Sequence, residues 1–140
     1  MRSSLVRAGL FVVGLPTAIT GAWALFTPRS FFRSFPGGAA HAWVSPLGTY
    51  DEHLVRDVGA LLLALAALLV IAAVVLERHL VIVAAVTSLV FEVPHLVFHA
   101  SHTAELSATD NVINLALLGG TVAISFAVGV TAWMERHGSS

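Results

Sequence analysis

The order of apolar and polar residues divides the chain into four long apolar segments separated by polar ones. The segments cover residues 8–27, 58–76, 80–102 and 112–134. A helix needs roughly 20 apolar residues to cross a bilayer, so the first, second and fourth segments are long enough unaided. The third is long enough only if Glu92 and at least one histidine lie within the membrane. Four crossings would place both termini on the same side.

This pattern predicts an all-α fold, a polytopic four-transmembrane-helix bundle in up-down-up-down order. The helices are expected at about 5–27, 51–76, 79–102 and 110–134 of a single integral membrane domain over residues 1–140, with a long first loop at 28–50. Short connections force the second and third helices, and the third and fourth, into antiparallel pairs. Ser107 or Thr109 is expected to cap the fourth helix. Small residues that permit close helix contact are Ala60, Ala64, Ala67, Gly119 and Gly120.

The arginines near the helix ends predict the orientation. Those on the side of the termini are Arg2, Arg7, Arg78 and Arg136, against Arg29, Arg33 and Arg56 on the other side. Because arginine and lysine are enriched in cytoplasmic loops, we expect cytoplasmic termini and a multi-pass protein of the cell membrane. The first segment also has features of a signal peptide, but its length favours an uncleaved helix.

Composition supports the same class of protein. The chain is 57% hydrophobic and 11% charged, whereas a soluble domain has about 25% charged residues. The lipid bilayer is therefore the expected partner, and another membrane protein or a second copy is left open. A net charge of -1 without a basic patch gives no case for nucleic acid. With no cysteine, disulfides and thiolate sites are excluded.

Titratable residues are concentrated in "FEVPHLVFHASH", residues 91–102. At about 100° per residue, Glu92, His95, His99 and His102 fall within roughly an 80° arc on one face of the third helix. Ionisable groups within a membrane cost several kcal/mol unless they are paired or hydrated, and they are functional candidates by default.

Polar residues of two other helices are expected on the same side of the membrane. The second helix begins with His53 and Asp57, spaced i, i+4, with Arg56 between them. The fourth begins with Asp110 and Asn114. The topology therefore predicts a polar pocket in the outward half of the bundle. Besides Glu92, His95 and His99 of the motif, its lining is expected to include Arg56, His102, Asp110 and Asn114.

One interpretation of this pocket is a transition-metal site. Its ligands would be His53, Asp57, Glu92, His95 and His99, since imidazole and carboxylate bind such metals. Glu92 and His95 have the Glu-x-x-His spacing of carboxylate-bridged sites in helical bundles, although those sites use two such motifs and this chain has one. Haem held by His53 together with His95 or His99 is a variant of this interpretation.

Two other interpretations stay open. In one, a descending series of Glu92, His95 and His99 handles protons or a small polar ligand, because histidine titrates near neutrality. In the other, Arg56 pairs with Glu92 or Asp57, the histidines bond to their neighbours, and the residues only satisfy one another.

Two stretches resemble a known family. "GLPTAITGAWALFTP" in the first helix and "EHLVRDVGALLLALAALL" in the second, with Arg56 and Gly59 as an Arg-x-x-Gly, are similar to the DoxX-like group of small four-helix bacterial membrane proteins. The resemblance implies a four-helix fold and an accessory role near respiratory or redox enzymes. It covers about half of the chain and does not extend to residues 91–102.

The sequence therefore predicts a small integral membrane protein with an accessory or structural role. The first alternative is a membrane-embedded metal- or haem-binding redox protein that uses Glu92, His95 and His99. The second is the handling of protons or a small ligand. Whether the protein is an enzyme is left open.

Overall fold

A computed structural model describes residues 2–134, which form five α-helices. They are α1 (Arg2–Phe26), α2 (Pro28–Ser34), α3 (Glu52–Val75), α4 (Arg78–Ser101) and α5 (Ala108–Met134). All but the short α2 are long and apolar enough to cross a membrane. The predicted all-α fold with four membrane-compatible helices is confirmed. The ends of α3 and α4 each lie within one residue of the expected positions.

The four long helices pack as two antiparallel pairs. Helix α1 packs mainly against α3, and α4 mainly against α5, while smaller α1–α5 and α3–α4 contacts join the pairs. The shared core is built from small and branched residues of all four helices, including Leu10, Leu69, Ala84 and Val128. This core is thin, because most of each helix surface faces outward.

The outward surface of the bundle is apolar. Ile19, Leu61, Val90 and Val112 come from four different helices, and each exposes about two thirds or more of its surface. A soluble protein rarely exposes apolar surface on this scale. Lipid chains would cover it without cost, which fits the membrane class of protein inferred from the composition.

Two glycines allow α1 and α3 to approach each other closely. A Cβ added at Gly59 would lie 2.5 Å from the backbone nitrogen of Leu25, and one added at Gly21 would lie 2.9 Å from the carbonyl oxygen of Gly59. The expectation for the other small residues was wrong. Ala60, Ala64 and Ala67 are exposed, and a Cβ at Gly119 or Gly120 would meet nothing within 4 Å.

The helix starts are capped by side chains. Asp51 accepts a hydrogen bond from Leu54 N at 3.1 Å and caps α3. Ser107 Oγ accepts from Asp110 N at 3.1 Å, so the expectation that Ser107 caps the fourth long helix is confirmed. Each cap satisfies a backbone N–H that has no partner within its helix. The caps thus fix where the apolar segments begin.

The long loop folds back over the end of the bundle that holds the α5 start. Helix α2 places Phe31 and Phe35 against Trp23 of α1 at ring-centroid distances of 6.1 and 6.0 Å. Phe35 in turn contacts Trp43, whose backbone N–H donates to Phe35 O at 2.8 Å. This aromatic cluster holds Trp43 and neighbouring His41 near the first turn of α5.

Candidate functional site

Glu92 of α4 is a carboxyl residue buried inside the bundle. Its residue is 6% exposed, and its Oε1 accepts hydrogen bonds from Ser88 Oγ at 2.9 Å and from Ser125 Oγ at 3.1 Å. Ser88 lies one turn earlier on α4, and Ser125 comes from α5. The other carboxyl oxygen, Oε2, is buried and has no hydrogen-bond partner among residues 2–134.

Glu92 lies close to the middle of its helix. At 1.5 Å per residue it is about 21 Å from the start of α4, which is about 36 Å long in total. Within the described residues it has no salt bridge with any arginine or histidine. The carboxyl group is therefore placed in the apolar zone with hydrogen bonds on one side only.

Two imidazoles continue the Glu92 face toward the end of α4. The rings of His95 and His99 meet edge to face with centroids 4.7 Å apart, and His95 stacks on Phe91. His99 is buried, and Asn114 Nδ2 of α5 donates to its Nδ1 at 2.9 Å. Because that nitrogen accepts, a proton on the neutral ring is assigned to Nε2.

A second set of polar residues lies at the start of α5. Asp110 is buried, accepts from Ser107 Oγ at 2.5 Å and from Trp43 Nε1 at 3.2 Å, and lies 3.3 Å from His41 Nδ1. Asp110 and Asn114 are one turn apart on α5, so they share a face. The loop residues and the α4–α5 contact thus meet around one helix end.

We call Ser88, Glu92, His95, His99, Asp110, Asn114 and Ser125 the α4–α5 polar cluster. It contains five of the predicted pocket or ligand residues, connected by direct contacts or by a shared helix face. They are Glu92, His95, His99, Asp110 and Asn114.

The predicted residues of α3 lie elsewhere. His53 Nε2 is 3.3 Å from Asp57 Oδ2, and both side chains are mostly exposed. Arg56 does not pair with Glu92 or Asp57, as one of the three interpretations had it. It bonds to Glu52 Oε1 at 2.9 Å and to Leu25 O at 2.5 Å. The reason is that the start of α3 packs against the end of α1.

The remaining pocket residue, His102, is exposed at the end of α4, where it stacks on Phe98 with ring centroids 4.1 Å apart. Its Nδ1 lies 2.9 Å from Phe98 O and 3.1 Å from Ser101 Oγ. These contacts are all within α4. His102 therefore finishes the helix rather than lining the contact with α5.

The geometry gives the metal interpretation no support. Across residues 2–134, no three histidine, aspartate or glutamate side chains are grouped so that they could hold one ion. The five predicted ligands divide between the His53–Asp57 pair on α3 and the separate positions of Glu92, His95 and His99 on α4. No observation favours the haem variant either.

Four residues of this region were not predicted from the sequence. Ser88 precedes Glu92 by four positions, so helical spacing could have placed it on the same face. Ser125 carries no such signal, because its position depends on how α5 is rotated against α4. His41 and Trp43 lie in the long loop, whose path the sequence pattern does not specify.

Comparisons of the chain with protein-family models, with curated proteins and with solved structures find no match. The resemblance to the DoxX-like group stays a prediction.

Proposed function

We propose that this chain is a multi-pass protein of the cell membrane that handles protons at Glu92. The observation that carries the proposal is a carboxyl group near the middle of a membrane-compatible helix, buried, with Oε2 unpartnered. Ionisable residues inside membrane helices are expensive and typically mark ion or proton pathways. A carboxyl group held only for packing would be expected to have both oxygens satisfied.

The two serines support this role. Ser88 and Ser125 both donate to Oε1, so they fix the orientation of the carboxyl group in either protonation state. Oε2 is then the atom at which a proton can be gained or lost. No arginine among the described residues bonds to Glu92, so the carboxyl group has no charged side-chain partner there.

The path from Glu92 toward one membrane face is supplied by α4. His95 lies about 4.5 Å and His99 about 10 Å farther along the helix axis. Their rings are in contact, and Asn114 orients the His99 ring. Carboxyl and imidazole groups both accept and release protons, and the unperturbed imidazole does so near neutrality. In this proposal, protons pass between Glu92 and the end of α4 along this series.

Proton flux into liposomes tests the proposal. Vesicles containing the purified full chain are given a pH step, and the internal pH is followed with a fluorescent dye. The wild type is expected to exceed protein-free vesicles, and Glu92→Gln is expected to abolish the excess. Glu105→Gln removes an exposed carboxyl group outside α4 and α5 and should keep it. No excess flux in the wild type, or equal flux in Glu92→Gln, would refute the proposal.

An accessory or structural role is the second candidate, and the hydrogen bonds near the start of α5 favour it. His99 and Asp110 both have partners from other elements, so they tie the loop, α4 and α5 together. Here Glu92→Met separates the two candidates. If the residue is functional, removing a half-satisfied buried carboxyl should raise thermal stability in detergent while flux is lost. If it is structural, stability should fall.

A further inference from the structure

An open cavity of about 250 Å³ lies between the start of α2, with Thr27 directly before it, and the start of α3. It is outside the α4–α5 polar cluster. The residues of its lining that carry charge or hydrogen-bonding side chains are Thr27, Arg29, Ser30, Tyr50, Glu52 and Arg56. The cavity therefore combines two guanidinium groups with one carboxylate and has a net positive charge.

Within the described part of the chain, only one of the two arginines forms a salt bridge with a carboxylate. Arg56 is held by Glu52, with its Nη2 and Nε at 2.9 and 3.1 Å from Oε1, and by Leu25 O. Arg29 has no salt bridge among residues 2–134. Its guanidinium carbon lies 5.6 Å from the centroid of the Tyr50 ring, which orients it by a cation–π contact. The uncompensated positive charge of the cavity thus belongs to Arg29.

Ser30 provides a hydrogen-bond donor beside this charge. Its Oγ accepts from Trp23 Nε1 at 3.1 Å, and its own hydrogen has no acceptor among the described residues. A guanidinium fork with a neighbouring hydroxyl is a donor set that suits phosphate oxygens. Glu52 disfavours a ligand of high charge, because its carboxylate lies on the same cavity wall.

The cavity lies at the ends of two membrane-compatible helices, a level at which lipid headgroups are expected. Helix α1 ends and helix α3 begins beside the cavity. The aromatic residues Trp23, Phe32 and Tyr50 lie at the same end of the bundle. Tryptophan and tyrosine are enriched where membrane helices meet the lipid headgroups. A phosphodiester of a lipid would be found at this depth.

From these observations we propose that the cavity binds the phosphate of an anionic lipid headgroup, with Arg29 as the charged contact and Ser30 as a second donor. A basic pocket between membrane helices is a known form of headgroup site. The ligand class is a lipid with a singly charged phosphodiester whose charge is not offset by a cation in the headgroup, as it is in phosphatidylcholine. Free inorganic phosphate shares its oxygens but lacks the acyl chains that would lie along the apolar surface of α1 and α3.

Native mass spectrometry of the detergent-solubilised full chain tests the site with phosphatidylglycerol, phosphatidylcholine and inorganic phosphate as separate probes. We expect phosphatidylglycerol to bind more tightly than phosphatidylcholine. Arg29→Gln should weaken phosphatidylglycerol about five-fold, as expected for one arginine near a lipid surface. Arg33→Gln is the matched control, since it removes the same charge one turn later on α2 from a side chain that does not line the cavity.

Three results would overturn the proposal. Equal weakening by Arg29→Gln and Arg33→Gln would indicate general surface charge without a site. Displacement of the lipid by inorganic phosphate at millimolar concentration would assign the cavity to free phosphate. Unchanged binding in Arg29→Gln would remove Arg29 as the contact. Arg29→Lys, which keeps the charge without the fork, is expected to give an intermediate affinity and serves if the glutamine variant does not fold.

Discussion

Three arginine side chains reach from one long helix to the C-terminal region of another. Arg7 Nε donates to Ala73 O of α3 at 3.1 Å, and Arg78 Nε donates to Ala132 O of α5 at 2.9 Å. Arg56 does the same for Leu25 O of α1. The last carbonyls of a helix lack partners and carry the negative end of its dipole. These charges therefore cap neighbouring helices and hold the antiparallel pairs in register.

Glu77 caps the start of a helix, as the arginines cap helix ends. Its carboxylate accepts from the backbone N–H groups of His79 and Leu80 at 3.0 and 2.8 Å and so caps α4. These two hydrogen bonds lower the pKa of Glu77 below its ordinary value of 4.5. Leu76, in a left-handed conformation with φ 55°, ends α3 just before it. The turn between α3 and α4 is thus defined by two adjacent residues.

The lowered pKa of Glu77 predicts a dependence of stability on acid pH. Because the folded state favours the ionised form, its stabilising contribution is complete above pH 4.5 and is lost as the pH falls through the lower folded pKa. The wild type should therefore melt at a higher temperature than Glu77→Gln near neutral pH, and this advantage should shrink below pH 4.5. Thermal melting in detergent across that range measures it. A constant difference at all pH values would contradict the assignment.

At the scale of the element, α3 is held to α1 by backbone contact rather than by large side chains. Gly21 and Gly59 face each other there, and the buried face of α3 continues through Leu62, Ala66 and Leu69. Small residues let membrane helices approach closely, and van der Waals contact then replaces the hydrophobic effect, which is absent between helices in lipid. The contact therefore depends on the absence of a Cβ at position 59.

Gly59→Ala should force these helices apart. The new Cβ would lie 2.5 Å from Leu25 N and 2.9 Å from Gly21 O, which are backbone atoms that cannot rotate away. Overpacking of this kind costs about 1–3 kcal/mol. Gly119→Ala is the control, because its Cβ would meet nothing within 4 Å and should be neutral or slightly stabilising. Unfolding of both variants in mixed micelles measures the difference, and equal stabilities would contradict the close contact.

The sequence was informative about helices and much less so about their contacts. Length, apolarity and caps located α3 and α4 well, because these signals lie within one segment. The packed face of each helix was not located in this way. Ala60 was expected at a helix contact, but Gly59 makes that contact. On a helix that is apolar all round, no periodicity separates the lipid-facing side from the packed side.

The same reasoning explains the candidate site. Glu92 and His99 stand out in an apolar helix, so their shared face could be predicted from spacing alone, and both are buried. Their partners could not be predicted. That Ser125 and Asn114 of α5 fill this role, while His53 and Asp57 of α3 do not, follows from the pairing of α1 with α3 and α4 with α5. Pairing is a property of the whole bundle.

At the scale of the whole molecule, the antiparallel pairing implies which segments share a side of the membrane. The start of α1 meets the end of α3 through Arg7 and Ala73, and the start of α4 meets α5 near Ala132. At the opposite end, the long loop contacts the start of α5 through Trp43 and Asp110. The loop and the α4–α5 connection should therefore face the same compartment, away from the N-terminus.

Cysteine labelling in intact cells tests this arrangement. The chain has no cysteine, so each single-cysteine variant reports one position. Ser3, Ala40 and Ala104 are exposed and lie at the α1 start, in the loop and in the α4–α5 connection. If the arginine distribution places the termini in the cytoplasm, an impermeant maleimide should label Ala40→Cys and Ala104→Cys, while Ser3→Cys reacts only after lysis. The reverse result would invert the orientation and keep the fold; labelling of Ser3→Cys together with Ala40→Cys would contradict a first membrane crossing by α1.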